Sequence, residues 1–510
     1  MNDQSHGWRR LFVRKSVEDL QRNAASHGLR RSLGPLNLVT LGIGCILGAG
    51  IYVMPGNAAA HFAGPAVILS FIFSGTACAF TALCYAELAS TMPVSGSSYS
   101  YCYATMGEAC AWGLGWLLLF DYGLAAALLA VGFSSYLVSL AHSLGAAIPA
   151  SVATPFVQAA SDGSGLVTTG GVNLVAALAI AAVTIVLVLG VSLSAKVNNI
   201  LVFIKIAVLI AVVAVGIGAV DPHNWTPFVP ANEGGFTYGW PGIMRGASIL
   251  FFAYIGFETV STAAAEARNP QKDMPIGIVG SLAVCTILYI VVAAVMTGIV
   301  PYRELGVADP IAVTVDRMGH PGFAVLVKLG ALVGLSSVLL VNAYGQSRIS
   351  FAMSSDGLLP PLFGRLHQLY QTPYLGTILF GAISAVGAAL LPLSLLGDLT
   401  SLGAGLAFSV VCIGVMWLRS TRPELARPFR VPLGGVHIGK VWIGTVPVAG
   451  VVLCWTMVAP VAIDIVSQAR SGHYVPATIL GLYALAGLLF YFGYSRQHSH
   501  LNPLALSASR

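Results

Sequence analysis

The sequence predicts an all-α polytopic membrane protein with twelve transmembrane helices. Composition is the first reason: of 510 residues, 56% are hydrophobic and only 9% charged, with a mean hydropathy of +0.83, against roughly 25% charged residues in an ordinary soluble domain. The second is a set of long windows without any Asp, Glu, Lys or Arg. The third is that each window holds an apolar run near the roughly 20 residues that a helix needs to cross a bilayer.

Cutting those runs at Gly, Pro and polar clusters gives the spans in order. The window between Arg31 and Glu87 holds spans one (36–56) and two (65–90). Span three (110–140) carries Asp121 and runs on into the next charge-free window, and span four (171–190) fills the gap between Asp162 and Lys196. Span five (196–219) opens on Lys196, span six (240–262) holds Glu258, and span seven (275–299) lies between Asp273 and Arg303. Span eight is 323–347, and Asp398 separates span nine (374–392) from span ten (397–418). Spans eleven (441–461) and twelve (475–495) follow a basic loop at 419–440.

Lys and Arg concentrate in cytoplasmic loops of membrane proteins. With the N-terminus inside, the segments 1–35, 191–196, 263–274, 348–373, 419–440 and 495–510 together hold 19 of the 25. Both termini are therefore expected in the cytoplasm, and the net charge of +6 reflects topology rather than a nucleic-acid partner. The polar residues 1–35 form a cytoplasmic segment without an apolar signal core, so span one serves as the insertion signal. Residues 36–219, 240–418 and 441–495 are membrane blocks, and 496–510 is a cytoplasmic tail. Eight cysteines without a CxxC pair and eleven histidines without metal-ligand spacing point to no disulfide framework and no metal site. No paired nucleophile and base suggests an enzyme, and no organic cofactor is expected.

Spans one and six break the pattern. Span one reads IGCILGAGIYVMPG at 43–56, and span six reads GASILFFAYIGFETVS at 246–261. Non-helical backbone at membrane depth is tolerated where it is buried in protein or lines a wet cavity, and interrupted helices at corresponding places in two halves mark transporter binding sites. A break near Gly48, Ala49 and Gly50 would expose N–H groups at a half-helix start, which suit a carboxylate. Carbonyls released near Phe252, Ala253 and Tyr254 would suit an ammonium group. Glycines that merely let helices pack closely are the plainer alternative.

The stretches LRRSLGPLNLVTLGIGCILGAGIYVMPG (29–56), YAELASTMPVSGSSYSYCYATMGE (85–108), QSRISFAMSSDGLLP (346–360) and RPELARPFRVP (422–432), with RKSVEDL at 14–20, resemble the amino acid–polyamine–organocation (APC) superfamily. Within it they are most similar to bacterial members of the cationic amino acid transporter family, from about Arg14 to Tyr494. The resemblance implies five helices, an inverted repeat of five, and two more, so that 36–219 is the first repeat and 240–418 the second. It implies a substrate held between spans one, three, six and eight, with Gly48, Ala49 and Gly50 on its carboxylate, carbonyls around Phe252, Ala253, Tyr254 and Ile255 on its amine, and Phe252 closing over it. Ile46, with Cys45, Tyr122, Tyr254 and Asn342, would set pocket size.

Asp121 and Glu258 stand mid-span, where an ionisable group costs at least ~2.5 kcal/mol and normally faces the bundle interior. They are candidates to bind a cationic side chain, steady an amine or take up a proton. The family carries Glu in span three and Asp in span six, the reverse of this chain, which leaves the preference for cationic substrates open. Each could instead pair with Arg245, Lys205 or a hydroxyl. Lys196 reads on its own as a snorkelling lysine. By resemblance it matches the lysine whose amine replaces a sodium ion in related carriers, with Ser336 and Ser337 as its neighbours and a proton as coupling ion. Glu87 and Arg348 with Asp356 are candidates for an inner gate of ion pairs.

The expected function is a proton-coupled L-amino acid permease working by alternating access in the cell inner (plasma) membrane, with an amino acid or polyamine exchanger as alternative and a channel or membrane-embedded enzyme as the reading from another class. L-amino acid and membrane lipid are the expected partners; the sequence leaves a small subunit or homo-oligomer open.

Overall fold

The computed structural model describes residues 13–15, 33–94, 96–159, 166–190 and 195–500; residues 16–20 of the RKSVEDL motif and 501–510 of the tail lie outside them. A helix stands at the place of each expected span. Among the described residues nine helices are long and apolar enough to cross a membrane, and three apolar helices are shorter: Pro35–Ile46, Leu174–Val188 and Tyr374–Leu390. The first of these is short because it is interrupted. It starts with Pro at its first position, where the missing N–H costs nothing, stops at Ile46, and resumes after Gly48 as Ala49–Tyr52 and Met54–Ala58.

Span six is interrupted differently. An α-helix over Gly239–Leu250 tightens into 3₁₀ turns at Phe251–Tyr254, and after a break the chain continues as a 3₁₀-helix, Glu258–Glu266. The break falls beside the carbonyls of Phe252, Ala253 and Tyr254, as the sequence leads one to expect. The flanking helices are long: Glu108–Ser143 has 36 residues and Pro321–Ser355 has 35, about 50 Å at 1.5 Å per residue, so both ends project beyond a 30 Å hydrocarbon layer.

Span three (Glu108–Ser143) packs along span eight (Pro321–Ser355) and span ten (Leu393–Thr421); span seven (Pro270–Ile299) packs along spans one and two; nine lies on four and eleven on ten. The broken helices run through the middle of this arrangement, and Leu47, Ile51, Phe251 and Tyr254 are completely buried. Spans five and twelve bury the least of their apolar windows. Outward-facing Phe203, Ile287 and Leu489 are what a hydrocarbon surround requires, since lipid imposes no penalty on exposed apolar side chains.

Few charges enter the bundle, and two of the cations among them are held in ion pairs. Arg245 on span six is 1% exposed and grips Asp398 of span ten with two bonds of 2.8 Å, reaching Asp464 of span eleven at 3.0 Å. The fork geometry of guanidinium suits that bidentate contact. Lys328 of span eight meets Asp316 and Ser143, each at 2.7 Å.

The end of the bundle carrying residues 13–15 and 495–500 is termed here the terminal face. On it lie a short helix, Ser97–Thr105, and an antiparallel hairpin, Gly435–Ile438 with Val441–Gly444. The expected gate residues take different partners on this face. Glu87 accepts two bonds from Arg419 (2.7 and 2.5 Å) and one from the Val431 N–H. Asp356 accepts from Lys15 and from the Tyr99 hydroxyl, while Arg348 lies over the Tyr344 ring at 4.8 Å.

Candidate substrate site

The two breaks face each other. A Cβ on Gly50 would run into the backbone of Ala253, so spans one and six touch where both lose their helical ladder. Gly256 adopts φ +123°, open to glycine at little cost, and a Cβ there would come within 2.8 Å of the Cys45 carbonyl carbon. Tyr289 of span seven, fully buried, places its hydroxyl 2.8 Å from the carbonyls of both Ile46 and Ala253, and so joins the loose ends of the two helices. Tyr289 was not singled out by sequence reasoning, because a Tyr in an apolar span reads as packing.

A cavity opens at this junction, walled by four spans. Span one contributes Cys45, Ile46, Gly48, Ala49 and Gly50. Span six contributes Phe252, Ala253, Ile255, Gly256, Glu258 and Thr259. Span three adds Tyr122, Ala125 and Leu129, and span eight adds Val338, Val341 and Asn342. Eight of the ten residues expected at the substrate thus line one space. The first N–H groups of the half-helix starting at Ala49 have no acceptor inside their own helix. On the other side, the Phe252 carbonyl accepts from the Ile255 N–H at 3.0 Å and the Ala253 carbonyl from Tyr289; each keeps a second lone pair.

The remaining two lie elsewhere. Tyr254 turns away and donates to the Phe71 carbonyl at 2.8 Å, because successive residues of a helical turn point to different sides. Asp121 precedes the cavity-lining Tyr122 by one residue and so faces span ten, where Oδ1 would stand 3.0 Å from a Cβ on Gly403. That oxygen is buried and has no hydrogen-bond partner among the described residues. The expected partners are taken: Arg245 holds Asp398 and Asp464, and Lys205 holds a backbone carbonyl.

Glu258 lines the cavity but its carboxylate is engaged. Oε2 accepts the Gly256 N–H at 2.7 Å, and the hydroxyls of Tyr122 and Thr259 stand beside it. It satisfies a donor released by the break, as acidic residues do at helix starts. The aliphatic wall of Ala125, Leu129, Val338 and Val341 carries no charge.

Lys205, given no role from the sequence, is completely buried in span five and donates to the Gly44 carbonyl at 2.9 Å, in the last turn before the break of span one. Lys196 begins the same helix, nine residues and about 13 Å of helical rise away; its side chain is outside the described part. Ser336 and Ser337 bond to carbonyls of their own helix, Leu332 at 2.7 Å and Gly334 at 2.9 Å. The signal that could have found Lys205 is its depth, since a lysine ten residues inside an apolar run cannot reach the interface and needs an internal acceptor.

Two interrupted helices meeting at a small cavity inside a lipid-facing bundle define a solute transporter rather than an enzyme. Residues 33–486 match the amino acid permease family, and the chain belongs to that family, in the cationic amino acid transporter branch of the APC superfamily. It is 40% identical to the methylthioribose transporter of Bacillus subtilis (strain 168), over 96% of this chain and 99% of that one. It is 39% identical to the branched-chain amino acid permease BcaP of the same organism, with the same coverage. With the vacuolar cationic amino acid transporter 4 of Arabidopsis thaliana it shares 36% identity over 81% of this chain and 68% of that one. The protein is a multi-pass membrane transporter.

Proposed function

We propose that this chain is a proton-coupled permease that takes up neutral aliphatic L-amino acids by alternating access through twelve spans, the first ten forming an inverted repeat of five. The observation that carries the substrate class is the state of the two carboxylates. Glu258 lines the cavity but is bonded to the Gly256 N–H and flanked by the Tyr122 and Thr259 hydroxyls, and Asp121 does not line the cavity, so no free carboxylate is offered to a cationic side chain. An arginine or lysine in this cavity would set its charge against Ala125, Leu129, Val338 and Val341, and an unpaired buried charge is strongly unfavourable. A leucine, isoleucine or valine would bury its side chain there, gaining ~1.5–3 kcal/mol. The substrate carboxylate would lie on the N–H groups of Ala49 and Gly50, its amine on the second lone pairs of the Phe252 and Ala253 carbonyls, with Phe252 over it.

The coupling role that resemblance assigned to Lys196 moves to Lys205, whose ammonium is held by the carbonyl of Gly44 beside the broken helix. Loading and unloading a proton there changes a bond made directly to span one, which gives coupling a physical route. The terminal face, with its basic loop, is cytoplasmic, by the excess of Lys and Arg on that side.

A ligand that binds only the folded state raises the melting temperature. Purified protein screened with the twenty amino acids, ornithine, putrescine and methylthioribose should be stabilised by leucine, isoleucine or valine. Stabilisation by arginine, lysine or ornithine alone would return Asp121 and Glu258 to side-chain recognition. Stabilisation by methylthioribose alone would show that the site does not depend on a zwitterion.

A further inference from the structure

The hairpin between spans ten and eleven has an apolar face that the described protein leaves largely uncovered, with only Ile443 half-buried. Its register pairs Val436 with Ile443, His437 with Trp442 and Ile438 with Val441. Side chains alternate along a strand and directly opposed residues share a face, so Val436, Ile443, Ile438 and Val441 form one aliphatic face. His437 and Trp442 form the other. Trp442 is buried and lies 4.0 Å from the Arg419 guanidinium, which fixes that second face to the bundle. The first face points away from it: Val436 is 69% exposed, Ile438 65% and Val441 48%.

The depth of the hairpin identifies what meets this face. Arg419 is two residues from the end of the span-ten helix at Thr421, and the Trp442 N–H donates to Ser420 Oγ at 2.7 Å. Gly444 is followed at once by Thr445, the first residue of the span-eleven helix. The strands are therefore held level with the helix ends, where a bilayer has its headgroups. Exposed Arg430 precedes the hairpin, exposed Lys440 sits at its turn, and Glu424 is the only acidic residue in 419–440. β-branched side chains on one face with cations at the rim are the make-up of a surface lying on anionic lipid.

We propose that the Gly435–Gly444 hairpin lies on the bilayer, its aliphatic face at the boundary between headgroups and acyl chains and Arg430 and Lys440 on the headgroups of anionic phospholipids. The assignment to the cytoplasmic leaflet rests on the orientation proposed above; contact with lipid does not. Full-length Ile438→Cys, labelled with an environment-sensitive fluorophore and reconstituted with phosphatidylglycerol, tests it, with unmodified protein as the labelling control, since seven of the eight native cysteines are buried. The label should be quenched at least twofold more by headgroup-proximal brominated lipid than by iodide present on both sides of the vesicle. That ratio should fall at least twofold in neutral lipid or in Arg430→Gln/Lys440→Gln. Strong iodide quenching in both lipid mixtures would overturn the proposal by placing the face in water, and protection from both quenchers would overturn it by placing the face against protein. None of these readings depends on transport, so failure of the permease assignment would leave them unaffected.

Discussion

Gly256 has little freedom at the junction of the two broken helices. Its φ of +123° excludes most side chains, and the Cys45 carbonyl leaves no room for a Cβ. Gly256→Ala is expected to cost at least ~1–2 kcal/mol from backbone strain and, by moving the N–H that holds Glu258, to abolish uptake; a melting curve beside a transport assay checks both. Lys205→Gln keeps a donor for the Gly44 carbonyl without a titratable charge. It is expected to retain ligand stabilisation while uptake loses its pH dependence, with the initial uptake rate down ~10-fold, a barrier change of about 1.4 kcal/mol; unchanged pH dependence would remove Lys205 from coupling. At this scale the sequence was legible where backbone chemistry speaks, in Gly48, Ala49, Gly50 and Phe252. It was not legible where a side chain's direction decides. Asp121 and Tyr122 are neighbours in sequence, yet only the second lines the cavity, and helical phase cannot be read from a span that is apolar on all sides.

The two interrupted helices act as a unit because Tyr289 holds both. One hydroxyl proton is shared between the carbonyls of Ile46 and Ala253, so each half-helix senses the other through a third span. A hydrogen bond of this kind contributes ~0.5–1.5 kcal/mol. Tyr289→Phe should therefore leave a folded, membrane-inserted protein with a melting temperature lowered by a few degrees, and uptake reduced more than stability; equal uptake would show that the breaks do not move together. The locations of both breaks followed from the paired interruptions of spans one and six and from the family resemblance, but their forms did not. The 3₁₀ geometry of Glu258–Glu266 depends on Ser261 donating to the Glu258 carbonyl at 2.6 Å and Ser97 Oγ contacting Ser261 Oγ at 2.7 Å. The second contact joins residues 164 apart in sequence, which local patterning does not reach.

Across the whole molecule, charge is sorted by function. Bound pairs lock helices together, as Arg245 does for spans six, ten and eleven; Lys and Arg gather in the loops; and the one carboxylate that lines the cavity, Glu258, is bonded to the Gly256 N–H. Composition and charge-free windows made the helical architecture legible, because hydrocarbon tolerates few alternatives. The substrate class was not, since it rests on which carboxylates are already engaged. The central claim is that this largely aliphatic cavity serves a proton-driven permease for aliphatic amino acids. The most direct test is uptake of labelled leucine into proteoliposomes under an inward proton gradient, with arginine measured in parallel. Leucine should accumulate above its external concentration, collapse to equilibration when a protonophore is added, and require no amino acid inside, with arginine at background. Leucine uptake that ignores the gradient and needs internal amino acid would make the protein an exchanger, and accumulation of arginine in place of leucine would contradict the substrate assignment.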